Sequence, residues 1–169
     1  CEKTIPRIVH YCWFGGKEKP DAVIRCMDSW KKWLPDYQFM EWNETNFRIE
    51  TSADYVREAY VHQKWAFVSD YVRLHALKTY GGIYLDTDVE VFRSFDALLK
   101  NEAFFGFESK DYLTTAVMAC SKGSQIIESF IGEYANRHFV LEDGTLDTET
   151  TNVVVLTGML KTQGLVLNG

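Results

Sequence analysis

Several features are scarce in this chain of 169 residues, and each scarcity excludes something. The four cysteines, Cys1, Cys12, Cys26 and Cys120, form no CxxC pair, so neither a zinc ribbon nor a dithiol redox motif is present. That spacing leads us to expect a reducing, cytoplasmic setting. Only three prolines are found, and no Pro-rich linker, repeat or low-complexity tract divides the chain. No apolar run approaches the roughly 20 residues that span a bilayer, and the opening residues lead us to expect no signal peptide. Basic residues are outnumbered 24 to 18 by acidic ones, and the pairs Lys17/Lys19 and Lys31/Lys32 read as solvated turn and helix positions. A surface built to neutralise nucleic-acid phosphates is thereby excluded.

What is present is a core. With 46% hydrophobic and 15% aromatic residues, the composition suits a single globular domain over 1–169. Ile5 to Phe14 reads as a buried first strand ending at the Gly15-Gly16 turn, and a helical face, Val23, Met27, Trp30 and Leu34, runs from Pro20 to Pro35. Gln38 to Trp42 reads as a second strand, residues 53 to 80 as one or two helices, and Gly81-Gly82 as their stop. Ile83–Leu85, Val89–Phe92, Phe104–Phe107 and Ala116–Cys120 are strand-like, whereas Ser124–His138 and Thr148–Lys161 are helix-like. This alternation predicts an α/β fold with a largely parallel sheet and ligands at the carboxyl ends of its strands.

The chemistry gathers at Asp86-Thr87-Asp88, directly after the apolar strand Gly82–Leu85. On an extended backbone, Asp86 and Asp88 share a side with Tyr84, so two carboxylates converge. Hard oxygen ligands of this kind favour Mg²⁺ or Mn²⁺ and leave positions open for a diphosphate. In isolation the pattern also describes an acidic turn facing water. Upstream, Asp70 and Arg73 lie about one helical turn apart, either as a surface ion pair or as a clamp on sugar hydroxyls and phosphate oxygens. His10, Tyr11 and Trp13 are either core aromatics or a stacking face for a nucleobase.

Three segments together, Ile8 to Gly16, Ala66 to Arg73 and Tyr80 to Val89, resemble glycosyltransferase family 32. That family shares its DXD region among capsular polysaccharide transferases, yeast Golgi mannosyltransferases and, more distantly, clostridial glucosylating toxins. The resemblance is clearest over residues 5 to 95. It implies a GT-A fold, a nucleotide-sugar donor, Mn²⁺ or Mg²⁺, and retention of anomeric configuration. By this resemblance Trp13 stacks the base beside the Tyr11-Cys12 backbone, and Ser69, Asp70 and Arg73 contact the donor sugar. Tyr84 lies on the donor side, Asp86 contacts the ribose and metal, and Asp88 is the direct metal ligand. Asp70, Arg73, Asp86 and Asp88 are accordingly the candidate catalytic set.

The expected partners are a nucleotide-sugar donor, UDP-linked ahead of GDP-mannose, and an oligosaccharide or lipid-linked saccharide acceptor. The expected role is capsular or surface polysaccharide synthesis, by a cytoplasmic protein that visits the inner membrane face. Relatives often carry a further C-terminal segment rich in His and Trp, whereas no His follows His138 and no Trp follows Trp65, so the expectation is either a C-terminally truncated domain or a site that closes differently. Thr114 and Thr115 fall where related enzymes place an Asn against the sugar. Three alternatives stand beside this reading. A catalytically silent nucleotide-sugar-binding domain shares the same residues, and a haloacid-dehalogenase-type phosphotransferase is opposed by Glu90, which stands where its motif wants Thr or Val. An EF-hand loop is opposed by Val91, which stands where it wants Gly.

Overall fold

A computed structural model describes residues 4–164. Five strands and five helices follow in the order β1 (Ile8–Cys12), α1 (Asp21–Trp33), β2 (Gln38–Trp42), α2 (Asp54–Val61), α3 (Trp65–Tyr80), β3 (Gly82–Leu85), β4 (Ala103–Ser109), β5 (Tyr112–Cys120), α4 (Gln125–Gly132) and α5 (Asn152–Thr162), with a 3₁₀ turn at Asp96–Leu98. The strands form one sheet in the order β2-β1-β3-β5-β4.

The sheet is mixed rather than largely parallel. β1 runs parallel to β2 and β3, but β5 runs antiparallel to both β3 and β4. The cause is local: only Lys110 and Asp111 separate β4 from β5, and so short a link can join only antiparallel strands.

Alternation along the strands divides two cores. Val9, Tyr11, Ile83 and Leu85 face α1, where Trp30 and Leu34 are fully buried. Cys12 and Tyr84 face the opposite layer with Val68, Val72 and Leu77 of α3. Helix α3 buries Val68, Val72, Arg73, Leu74, Ala76 and Leu77, a face far wider than a surface helix's apolar stripe, as befits a helix largely enclosed by protein.

The stop predicted at Gly81-Gly82 is real and steric. Both residues have positive φ, +67° and +114°, and a Cβ would lie 2.6 Å from Lys122 N at Gly81 and 2.5 Å from Ile8 O at Gly82. His10, wholly buried, seals this corner: Nε2–H donates to Gly81 O at 2.8 Å while Nδ1 accepts from Trp42 Nε1 at 3.1 Å. Burial lowers its pKa, which keeps the ring neutral, so His10 is a core residue.

Other boundaries differ from those expected. β1 is shorter than Ile5–Phe14. Val89–Phe92 is not a strand, because α1 takes its backbone: Trp30 Nε1 donates to Val89 O at 2.8 Å and Val91 N to Ser29 Oγ at 2.9 Å. α4 ends at Gly132 and continues as i→i+3 turns through Ala135. α5 begins at Asn152 rather than Thr148 because Arg137 holds Thr150 O and Asp147 Oδ1 accepts from Thr150 N.

Candidate active site

The exit of β3 carries the acidic segment. Asp86 N still donates to Ala116 O of β5 at 2.9 Å, and Val89 N closes a turn onto Asp86 O at 3.0 Å. The strand alternation therefore ends at Asp86, and Asp88 is placed by a turn rather than by the extended backbone expected for it. Tyr84, Asp86 and Asp88 nevertheless line one cavity of about 950 Å³.

Arg73 organises the cavity wall. The residue is 3% exposed, and its guanidinium donates from Nη1 to Thr115 O at 2.6 Å, from Nε to Ser69 O at 3.2 Å and from Nη2 to Ser69 Oγ at 3.1 Å. The same Nη2 stands 3.1 Å from Asp70 Oδ1 and 3.1 Å from Asp86 Oδ1, and the guanidinium carbon lies 4.4 Å from the Tyr84 ring centroid. The surface ion pair is thus replaced by a buried one. Ser69, Asp70 and Arg73 all line the cavity, with Arg73 bonded to Ser69 and Thr115 and paired to Asp70 and Asp86.

Burial pushes the Asp70 carboxyl up to about 6, against the opposing pull of Arg73. Asp86 is only partly buried, and its Oδ2 makes no hydrogen bond or ion pair among the described residues. Asp88 is exposed and has no such partner at all among them. No group of three or more His, Cys, Asp or Glu gathers there as a ready metal cage among the described residues.

The end of β1 supplies the opposite wall with Cys12, Trp13, Phe14 and Lys17. Trp13 is fixed by a bond from Nε1 to Lys17 O at 2.7 Å, and Lys19 Nζ sits 5.7 Å from its ring while paired to Glu41 at 2.6 Å. Burial pushes the Cys12 thiol up to about 12, so it serves as packing and not as a nucleophile. Tyr11 alone among the predicted site residues does not line the cavity: its ring packs edge-on against Trp30, 5.5 Å away in the other core.

Sequence reasoning missed Trp65, Asn152, Ser109, Tyr112 and Val154, all of which line the cavity. Trp65 was findable, for it precedes Ser69 and Arg73 by four and eight residues on one helical face. Asn152 carried no such signal. Buried to 1% exposure, it donates from Nδ2 to Asp70 O at 3.0 Å and accepts from the Tyr134 hydroxyl, anchoring α5 beside Asp70.

Comparison with known proteins bears on the family and the fold. The chain is 30% identical over 143 residues to inositol phosphoceramide mannosyltransferase 3 of Schizosaccharomyces pombe, a match covering 80% of this chain and 40% of that protein. It is 24% identical over 161 residues to the subversion of eukaryotic traffic protein A of Legionella pneumophila, covering 75% and 24%. The chain thus spans less than half the length of either relative. The solved PaToxG glycosyltransferase superposes with a TM-score of 0.72 at 19% identity, over 95% of this chain and 70% of that one, which establishes the GT-A type of α/β fold. Residues 20–105 match the glycosyltransferase sugar-binding region containing a DXD motif, just over half of the chain, and the chain belongs to that family of glycosyltransferases.

Proposed function

We propose that this chain carries the donor site of a metal-dependent, retaining glycosyltransferase that moves a hexose from a nucleotide-diphosphate sugar to a saccharide acceptor. The observation that carries this reading is the buried chain Asp70–Arg73–Asp86 on the wall of a large cavity, with Asp88 unpartnered beside it. Asp86 keeps one oxygen without a hydrogen bond or ion pair among the described residues, on the cavity wall.

The donor set fits a divalent cation. Asp88 and the free oxygen of Asp86 are hard ligands, and two protein carboxylates leave sites for diphosphate oxygens. A Mn²⁺ or Mg²⁺ ion held by Asp86 and Asp88 would neutralise charge developing on the departing diphosphate. Arg73 orients both Asp86 and Asp70. Asp70, ionised above about pH 6, accepts hydrogen bonds from sugar hydroxyls, with Ser69 and Tyr84 beside it. The Trp13 face stacks the base next to the Tyr11-Cys12 backbone, and a UDP-linked donor is favoured over GDP-mannose.

A relative that is an inositol phosphoceramide mannosyltransferase supports a hexose as the transferred group. We place the reaction in capsular or surface polysaccharide synthesis, on an oligosaccharide or lipid-linked acceptor, by a cytoplasmic protein peripheral to the inner membrane face. Among the described residues no helix is long and apolar enough to cross a membrane.

Calorimetric titration of UDP and of GDP, each with Mn²⁺ and with chelator, tests the donor site. Metal-dependent binding of one nucleotide is expected. Binding that ignores the chelator would remove the metal from the proposal, and no binding of either nucleotide would remove the donor site.

A further inference from the structure

The cavity has an end that the donor reading leaves empty. Strand order puts β1, with Trp13, on one side of β3 and β5 on the other. β5 also outruns β3: Asp86 N meets Ala116 O, yet β5 begins four residues earlier at Tyr112, about 13 Å beyond at strand rise. Its hairpin with β4 therefore projects past the acidic turn, where Ser109 and Tyr112 line the cavity opposite Thr151 and Val154 at the start of α5. These residues lie beyond the matched family region of 20–105.

This lip is held in place. Leu113 N donates to Thr157 Oγ1 at 3.1 Å, with Thr157 2% exposed, which ties the hairpin to α5. On the β4 side Gly106 admits the close approach of Thr114, whose Cγ2 would lie 2.8 Å from an added Cβ, and the register shifts on both sides of Phe107. Irregularities of this kind re-aim side chains beside sites.

The chemistry of the lip differs from that of the donor half. None of the four lining residues carries charge. Tyr112 and Val154 are each 44% exposed, and the Tyr112 and Thr151 hydroxyls make no hydrogen bond among the described residues. A ring face flanked by a methyl surface and free hydroxyls matches a neutral pyranose, whose C–H face is apolar and whose rim is hydroxyl. The same cavity, of about 950 Å³, takes in both this lip and the residues of the donor half.

We propose that Ser109, Tyr112, Thr151 and Val154 form the acceptor subsite, and that it receives an uncharged pyranose ring stacked on Tyr112. This rests on the sugar-transfer reading above and adds the acceptor's chemistry and place.

The test uses the whole chain with Mn²⁺ and UDP-glucose or GDP-mannose, and methyl α-glucopyranoside and methyl α-mannopyranoside as acceptors, with transfer and donor hydrolysis measured together. Tyr112→Ala is expected to raise the acceptor KM and lower the transfer-to-hydrolysis ratio about tenfold, the scale of one aromatic contact, while Tyr112→Phe stays within about twofold. An unchanged ratio and KM in Tyr112→Ala would overturn the subsite while leaving sugar transfer standing. Glycosylation of a serine- or tyrosine-containing peptide, with neither methyl glycoside accepted, would overturn the pyranose assignment. If the unaltered chain neither binds nor hydrolyses any donor, the transferase reading falls, and the subsite with it.

Discussion

Arg73 Nη2 stands at the same distance, 3.1 Å, from an oxygen of Asp70 on its own helix and from an oxygen of Asp86 at the end of β3. One buried cation thus couples two carboxylates that are 16 residues apart and belong to different elements. With Thr115 O as a further acceptor, α3, β3 and β5 converge on a single guanidinium.

Removing that cation would strand two carboxylates against protein. Arg73→Ala is expected to lose about 3–5 kcal/mol of stability, the scale of a broken buried pair, measured by urea unfolding. Arg73→Lys keeps the charge but not the planar fork that reaches Ser69, Asp70, Asp86 and Thr115 together, so it too should be destabilised. A Lys variant as stable as the parent would show that charge alone suffices.

Asp70 sets a pH dependence whose sign follows from burial. Its folded pKa, about 6, lies above the ordinary carboxylate value of 3.8. The protonated form therefore favours folding: this group's contribution is fully present below 3.8 and is lost as pH rises through about 6. Thermal melts from pH 4 to 8 should show Asp70→Asn gaining on the parent as pH rises. Donor affinity should run the other way in the parent, strengthening through pH 6, and Asp70→Asn should flatten that rise.

Asp88 is exposed and unpartnered among the described residues, so Asp88→Asn should leave stability within about 0.5 kcal/mol. It should abolish the Mn²⁺-dependent part of nucleotide binding. Retention of that part, seen by calorimetry, would take Asp88 out of the metal site.

Two glycines should respond in opposite directions to alanine. Gly82→Ala, at φ +114° and against Ile8 O, is expected to cost at least about 1–3 kcal/mol. Gly158 lies inside α5 with nothing within 4 Å of an added Cβ, so Gly158→Ala should stabilise by about 0.5–1 kcal/mol. Chemical denaturation of the pair checks both.

The haloacid-dehalogenase alternative is displaced by the family match, which spans the acidic segment itself. A catalytically silent domain would differ from the proposed enzyme in turnover rather than in fold, and donor hydrolysis separates the two.

Local pattern alone determined the helix and strand types of α1, β2, α3 and β3, because their apolar spacing and the Gly81-Gly82 stop act within a few residues of chain. The same local pattern left Asp70/Arg73 open as a surface ion pair and Asp86/Asp88 as an acidic turn, and only the resemblance of three segments to one family grouped them. Tertiary structure decided the rest. Whether Val89–Phe92 pairs in the sheet depended on Trp30 and Ser29, about 60 residues away, reaching its backbone first. Whether Arg73 pairs at the surface or in a buried network depended on Thr115 O and Asp86 arriving beside it. Asn152 and Tyr112 entered the cavity only because α5 and the β4–β5 hairpin pack past the end of β3. Short-range spacing records which side of an element a residue takes, whereas the partner it meets there is set by contacts distant in sequence, and those leave no periodic trace.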